Sequence, residues 1–277
     1  LNPEPMADFI DFFVLGDGEE VLLELLDCFR EWKGRGKKAP KKQLLAQVAT
    51  IRGIYVPSLY QVEYRGDGLV NSITPTVAYA QPSIQRRIVS QLPPPVTKPV
   101  VPYIEVVHDR GAVEIQRGCS RGCRFCQAGI IYRPVRERPR EEVLQAAGEL
   151  ITNCGYDEVS LLSLSTNDYP GIEQLVTSLS RLYSNLALSL PSLRLDSFSV
   201  ALVDSLPSRR KTGLTFAPEA GSQRLRRVIN KATAEDEILE TAAAAFDRGW
   251  TGLKLYFMLG LPSETFDDVE DIVQLVA

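Results

Sequence analysis

The amino-acid sequence predicts an α/β fold in which helices cover one parallel sheet, either open or curved into a barrel. Three observations predict it. From Ala112 onward strand-like and helix-like runs alternate, and five such units in the 166 residues up to Ala277 give about 33 residues each, the length of a βαβ repeat. Strand runs such as Leu253-Lys254-Leu255-Tyr256-Phe257-Met258-Leu259 are largely apolar on both faces, as buried parallel strands are. Ahead of this array, Pro93, Pro94, Pro95, Pro99 and Pro102 fall within ten residues, the mark of an extended connection from a less regular amino-terminal part. The chain has 277 residues, 44% hydrophobic and 24% charged, which excludes a largely disordered protein. A net charge of -4 argues against a globally basic nucleic-acid binder while leaving room for a local patch. No apolar run approaches the ~18 residues of a membrane span, and no signal-peptide pattern opens the sequence.

Taken in order, Ala7 to Trp32 reads as a strand, a Gly16-Asp17-Gly18 turn and an amphipathic helix with Val21, Leu22, Leu25, Leu26, Phe29 and Trp32 on one face. Asp17, Glu19 and Glu20 stand where a helix amino terminus favours negative charge. Six basic residues among Gly and Pro in Lys33–Lys42 read as a solvated connector. Leu44, Leu45, Val48 and Ile51 suggest a short helix, and Ile54–Val56, Tyr60–Tyr64 and Thr76–Tyr79 short strands. The regular array then places strands at Ala112–Ile115, Glu158–Leu164, Leu186–Leu195, Gly213–Ala217 and Gly252–Leu259. Its helices carry the faces Val143/Leu144/Ala147/Leu150/Ile151, Ile172/Leu175/Val176/Leu179/Leu182 and Ile238/Leu239/Ala242/Ala245/Phe246. The last of these opens at Thr233-Ala234-Glu235-Asp236 and closes at Gly249. In such a fold functional groups gather at the carboxyl ends of the strands.

The five cysteines are Cys28, Cys119, Cys123, Cys126 and Cys154, an odd number with three inside eight residues, which excludes a disulfide framework. Cys119-x3-Cys123-x2-Cys126 follows the first strand of the array, and Gly118 and Gly122 permit the tight backbone that lets three thiolates converge on a cluster or ion. A [4Fe–4S] cubane takes four ligands; Cys28 and Cys154 are remote in sequence, and if neither reaches the cluster one iron is left open, the mark of a catalytic metal site. The alternative is a structural Cys3His zinc site using the lone His108, although no second cysteine pair completes the usual zinc spacing.

The loop Arg117-Gly118-Cys119-Ser120-Arg121-Gly122-Cys123-Arg124-Phe125-Cys126, set after strand one of a β/α array, resembles the radical S-adenosylmethionine (SAM) superfamily over about residues 112–277. The resemblance implies a partial (β/α) barrel of that type, with three cysteines on three irons and SAM on the fourth. It implies an enzyme in which electron transfer cleaves SAM to a 5′-deoxyadenosyl radical acting on an unnamed substrate. Phe125 would pack near adenine or simply fill the barrel mouth. Ser165, Asn167 and Asp168 stand where the family has a Gly-Gly-Glu-type segment meeting the SAM amino group, from which this sequence departs; Asn167 and Asp168 would supply acceptors there, or the segment is a polar strand-to-helix turn with Asp168 as cap. Glu219 and Arg224, in Ala217-Pro218-Glu219-Ala220-Gly221-Ser222-Gln223-Arg224, would take the ribose hydroxyls and the SAM carboxylate, unless they form an ion pair at a helix start. Met258, in Tyr256-Phe257-Met258-Leu259-Gly260, would contact adenine or belong to the core.

Seven arginines stand against one acid between Arg117 and Arg140, a run suited to balancing cluster charge and raising its potential, to an anionic substrate, to an acidic electron donor such as flavodoxin or ferredoxin, or to RNA, or merely a solvated face. Residues 2–20 with the following helix resemble the last strand and helix of the Rossmann-like, cobalamin-binding-like domain that often precedes a radical SAM core. The expected organisation is therefore the end of that domain over 1–35, a small α+β connecting region over 36–103 and the radical SAM core over 104–277. The closing Asp271–Ala277 reads as mid-helix, so the core is expected to stop after its fifth β/α unit. Further expectations are cytoplasmic location, no membrane segment and, in a longer chain, cobalamin. The alternative of another class is a non-catalytic Fe–S or zinc protein whose metal organises an interaction surface.

Overall fold

The computed structural model describes residues 2–34, 39–104, 106–107, 109–195, 202 and 214–277. His108, the zinc alternative's fourth ligand, and Gly213 of the predicted fourth strand lie outside them. The chain forms two compact units, Leu1–Pro93 and Pro94–Ala277, dividing at the first of the clustered prolines.

In the first unit β1 (Phe13–Val14) pairs antiparallel with β2 (Ile54–Tyr55), and the main chain of Arg87 continues the pairing. Gly16 is required there: at φ +110, any Cβ would stand 2.0 Å from the Arg87 carbonyl oxygen. Asp17 is buried, and its Oδ2 accepts from the Val89 N–H at 2.9 Å, so it tethers the returning chain. Helices α1 (Glu19–Gly34) and α2 (Lys41–Val48) pack Val21, Leu25 and Cys28 against Leu44, Leu45 and Val48. The single apolar face expected for α1 therefore divides. Leu22, Leu26 and Phe29 are exposed because only the Val21 side of the stripe meets α2.

A hairpin joins β3 (Tyr60–Tyr64) to β4 (Val70–Pro75). Its turn closes through Arg65 N to Leu69 O at 2.8 Å, with Asp67 holding both the Arg65 side chain and the Leu69 N–H, and Gly68 at φ +81. This corrects the expected strand at Thr76–Tyr79, which is not strand. The partner of β3 is the segment immediately after the Gly66-Asp67-Gly68 turn, the ordinary chemistry of a hairpin loop.

In the second unit β5 (Gly111–Glu114), β8 (Glu158–Leu162) and β9 (Ala187–Ser189) form a parallel sheet in the order β5-β8-β9, with β10 (Leu214–Glu219) and β11 (Leu253–Phe257) as a parallel pair. Between β5 and β8 lie a small antiparallel pair, β6 (Gln116–Arg117) with β7 (Arg136–Glu137), and the helices α3 (Ala128–Ile131) and α4 (Arg140–Cys154). Helix α5 (Ile172–Leu182) joins β8 to β9, α6 (Gln223–Val228) and α7 (Glu235–Asp247) join β10 to β11, and α8 (Phe266–Val276) follows. Gly155 ends α4 in the left-handed region, its N–H bonded to Ile151 O at 2.9 Å. Val143, Ala147 and Leu150 of α4 and Leu175, Val176 and Leu179 of α5 bury against Val113, Val159 and Leu161 of the sheet. Each buried Val or Leu among these stabilises the fold by ~1.5–3 kcal/mol. Helices α7 and α8 cover the second pair through Ile238, Ala245 and Leu275 on Leu214 and Phe216. No described helix is long and apolar enough to cross a membrane.

Candidate metal and cofactor site

The cysteine loop leaves the carboxyl end of β6, and glycine fixes its path. Gly118 stands at φ +93, where a Cβ would lie 2.5 Å from Tyr132 O and 2.8 Å from Pro134 O. Gly122 stands at φ +85 with nothing closer than 3.5 Å. The loop is then held by its neighbours. Arg124 N donates to Ile229 O at 2.9 Å, Asn230 Nδ2 to Gly122 O at 2.9 Å and Arg133 Nε to Cys119 O at 3.3 Å.

All five cysteines are free thiols, and Cys119, Cys123 and Cys126 each meet a different N–H donor. Arg121 N lies 3.5 Å from Cys119 Sγ, Gly129 N 3.3 Å from Cys126 Sγ, and Arg194 Nη1 3.8 Å from Cys123 Sγ. Such donors favour thiolate ligands and recur around cluster sulfurs. The other two cysteines differ. Burial pushes the Cys28 thiol up from its ordinary value, and Glu31, Asp27 and Glu24 add to the shift. Cys154 closes α4 with its Sγ 4.0 Å from Thr97 O. Among the described residues no three His, Cys, Asp or Glu side chains meet at a single-ion site.

The remaining predicted residues fall into two groups. Phe125 and Met258 come together, packed on Ala220, Leu225, Ile229 and Leu261 beyond the end of β10. Glu219 adopts φ +71, uncommon for a side chain with a Cβ, while its carbonyl accepts from Met258 N at 2.8 Å. Its Oε1 takes Lys231 Nζ at 2.8 Å, both side chains largely buried. The second group is engaged with the protein itself. Ser165 is fully buried and its Oγ donates to Asp168 Oδ2 at 2.6 Å. Asp168 pairs with Arg121 of the cysteine loop, which with the Ser165 bond holds its carboxyl below the usual range. Asn167 clamps the main chain of Arg194. Arg224 turns to Asp268 and to Ser263 O at 2.9 Å, the ion pair at a helix start that was its alternative reading. Arg224 together with Ser222 holds the Asp268 carboxyl far below its ordinary value.

Sequence reasoning missed Lys231, Arg194, Arg226 and Asn230. Arg226 is fully buried, donating to Thr233 O at 2.8 Å, Ala220 O at 3.0 Å and Gly221 O at 2.5 Å, so it clamps the turn after β10. None of the four carries a local motif; Lys231, Arg194 and Asn230 meet partners 12, 71 and 108 residues away, while Arg226 reaches main-chain carbonyls 5 to 7 residues off. In the Arg117–Arg140 run Arg136 and Arg138 are buried and Arg121, Arg124 and Arg140 are exposed, and each of the seven arginines also meets a protein acceptor. Arg117 pairs with Glu114, Arg121 with Asp168, and Arg138, buried, with Glu142 and Glu114 O. Arg124, Arg133 and Arg136 hold backbone carbonyls, and Arg140 pairs with Glu141.

A three-cysteine loop after the parallel strand β5, in an α/β unit that also carries the Phe125/Met258 shelf and the largely buried Glu219, has the donor set of a metal-binding site. The family comparison makes it specific. The model of the Radical SAM superfamily matches residues 113–276, and that of Radical SAM proteins, N-terminal, matches residues 1–57; the chain belongs to the radical SAM superfamily. It is 30% identical to Uncharacterized protein MJ0966 of Methanocaldococcus jannaschii over 98% of this chain and 52% of that protein. It is 25% identical to the ribosomal protein uS12 methylthiotransferase RimO of Thermoanaerobacter sp. over 59% of this chain and 39% of RimO. The chain thus spans about half or less of the length of these relatives. In fold it is similar to the radical SAM methyltransferase TsrM of Kitasatospora setae, solved with cobalamin and a [4Fe–4S] cluster, at TM-score 0.61 and 16% identity over 99% of this chain and 51% of TsrM. It is also similar to OxsB, a cobalamin-dependent SAM radical enzyme, at TM-score 0.61 and 13% identity, covering 99% of this chain and 37% of that one.

Proposed function

We propose that the chain is the core of a radical SAM enzyme in which Cys119, Cys123 and Cys126 hold a [4Fe–4S] cluster and leave one iron for SAM. The observation that carries this is the loop itself: three free thiols in eight residues, each beside its own N–H donor, reached from the parallel strand β5 through the short strand β6. Bound together, cluster and SAM supply reductive cleavage and radical chemistry on a substrate. The protein's part is to bind, orient and exclude water. Phe125 and Met258 offer an apolar shelf for adenine, and Glu219, held by Lys231, offers an acceptor for ribose hydroxyls. Ser165, Asn167 and Asp168 act by fixing the cysteine loop and the end of β9 more than by meeting SAM directly, and Arg224 acts by fixing α8.

The parallel strands support a partial barrel over 104–277; the domain end over 1–35 and the connecting region over 36–103 rest on the sequence resemblance, with β1 and α1 joined to β2 and α2 in the unit Leu1–Pro93. Cobalamin in a longer chain is supported by the fold likeness to TsrM and OxsB. Free thiols suit a reducing, cytoplasmic setting, and an electron donor such as flavodoxin or ferredoxin belongs to the proposal through the cluster's need for reduction. The substrate class stays unassigned: the arginine run that favoured an anion or RNA is engaged with protein acceptors. The test is anaerobic reconstitution with iron and sulfide. A cluster with SAM cleaved under reduction supports the enzyme, whereas a stable zinc site with no SAM turnover supports the interaction protein and overturns it.

A further inference from the structure

One side chain outside the predicted set brings a cationic group to a cysteine of the loop. Arg194 follows β9, and its Nη1 donates to Cys123 Sγ at 3.8 Å across 71 residues of sequence. The donors to Cys119 and Cys126 are neutral main-chain N–H groups, so Cys123 has a guanidinium where its fellows have amides.

The place of Arg194 is fixed by more than its own side chain. Arg194 N donates to Asn167 Oδ1 at 3.0 Å, and Asn167 Nδ2 donates back to Arg194 O at 3.4 Å. Thr166 adds its N–H to Ser192 O at 3.3 Å and its hydroxyl to Pro191 O. Two residues after β8 therefore hold the 191–194 segment through both side chains and main chain. Asp168, which also feels the charge of Arg194, has both carboxylate oxygens engaged by Arg121 and Ser165.

Hydrogen bonds to cluster sulfurs and nearby charge are among the levers that set a cluster's reduction potential. One-electron reduction adds negative charge to the cluster, so a cationic donor at one thiolate stabilises the reduced form more than the oxidised one. We propose that Arg194, aimed by the Asn167 amide, raises the reduction potential of the cluster held at Cys123. This rests on the reading that the three cysteines hold a [4Fe–4S] cluster.

The test is a dithionite titration with redox mediators, followed by electron paramagnetic resonance of the reduced cluster, on the anaerobically reconstituted full chain and its Arg194→Lys, Arg194→Met and Asn167→Ala variants. Iron content is measured on each sample. With iron content unchanged, Arg194→Met at the wild-type midpoint holds a reduced-to-oxidised ratio at least tenfold lower, a shift of about 59 mV for one electron. Arg194→Lys, keeping the charge but losing the planar fork, shifts less, and Asn167→Ala shifts in the same direction. If Arg194→Met binds no iron, Arg194→Gln, which keeps a neutral N–H donor, is judged on the same midpoint. An unmoved midpoint with full iron overturns the proposal alone. Loss of iron in every variant makes Arg194 structural and overturns it too. A wild-type chain without a cluster overturns the underlying reading and this one with it.

Discussion

Replacing Gly118 with alanine isolates what the cysteine loop demands of its backbone. The left-handed conformation at φ +93 costs a residue with a Cβ ~1–2 kcal/mol. The new methyl also meets Tyr132 O at 2.5 Å and Pro134 O at 2.8 Å, both main-chain atoms with no rotamer to yield. Overpacking of this kind adds ~1–3 kcal/mol. Gly122→Ala is the internal control: its φ of +85 imposes the first cost, but its nearest neighbour, an arginine nitrogen at 3.5 Å, imposes none of the second. Gly118→Ala should therefore be less stable than Gly122→Ala by ~1–3 kcal/mol. The assay is urea unfolding followed by the fluorescence of Trp250, which is buried in the second unit, in a Trp32→Phe background. Iron retention after reconstitution should fall in the same order. Equal midpoints for the two variants would refute the claim that main-chain crowding, and not φ alone, fixes the loop.

Further outcomes follow from the buried charges. Asp268 has a depressed folded-state pKa, so its stabilisation is complete above the ordinary carboxylate value of ~3.9 and is lost as pH falls through the lower folded value. Asp268→Asn should lower stability at neutral pH by ~1–3 kcal/mol and flatten the acid limb of a stability–pH profile measured by denaturant unfolding. Arg226→Met leaves three buried carbonyls without their donor and should cost at least ~2 kcal/mol by the same assay, weakening SAM binding through the misplaced turn after β10. Glu219→Gln removes the charge that holds Lys231 and weakens the ribose acceptor; equilibrium dialysis should give SAM affinity about tenfold lower, ~1.4 kcal/mol.

Much of this was legible because it is local. The βαβ rhythm follows from apolar runs and caps, and five predicted strands overlap β5, β8, β9, β10 and β11. The three-cysteine loop reads directly, since spacing and flanking glycines lie within one short segment. What was not legible depends on partners distant in sequence. Lys231 is twelve residues from Glu219 and Arg194 seventy-one from Cys123, and nothing in either segment announces the meeting. Arg224 carried the right chemistry for a carboxylate, and a buried protein carboxylate, Asp268, took it. Thr76–Tyr79 had the β-branched and aromatic residues of a strand, but the Gly66-Asp67-Gly68 turn set the pairing one segment earlier. The face of α1 was read from periodicity alone, which gives the stripe but not how much of it a short partner helix can cover.

The most direct test of the central claim is the metal content and SAM chemistry of the chain after anaerobic reconstitution with iron and sulfide, alongside Cys123→Ala. The account predicts four irons per chain, a broad visible absorbance that vanishes in Cys123→Ala, and 5′-deoxyadenosine released from SAM on reduction. A chain that takes up zinc in place of the cluster, or one whose cluster absorbance survives loss of Cys123, would contradict it.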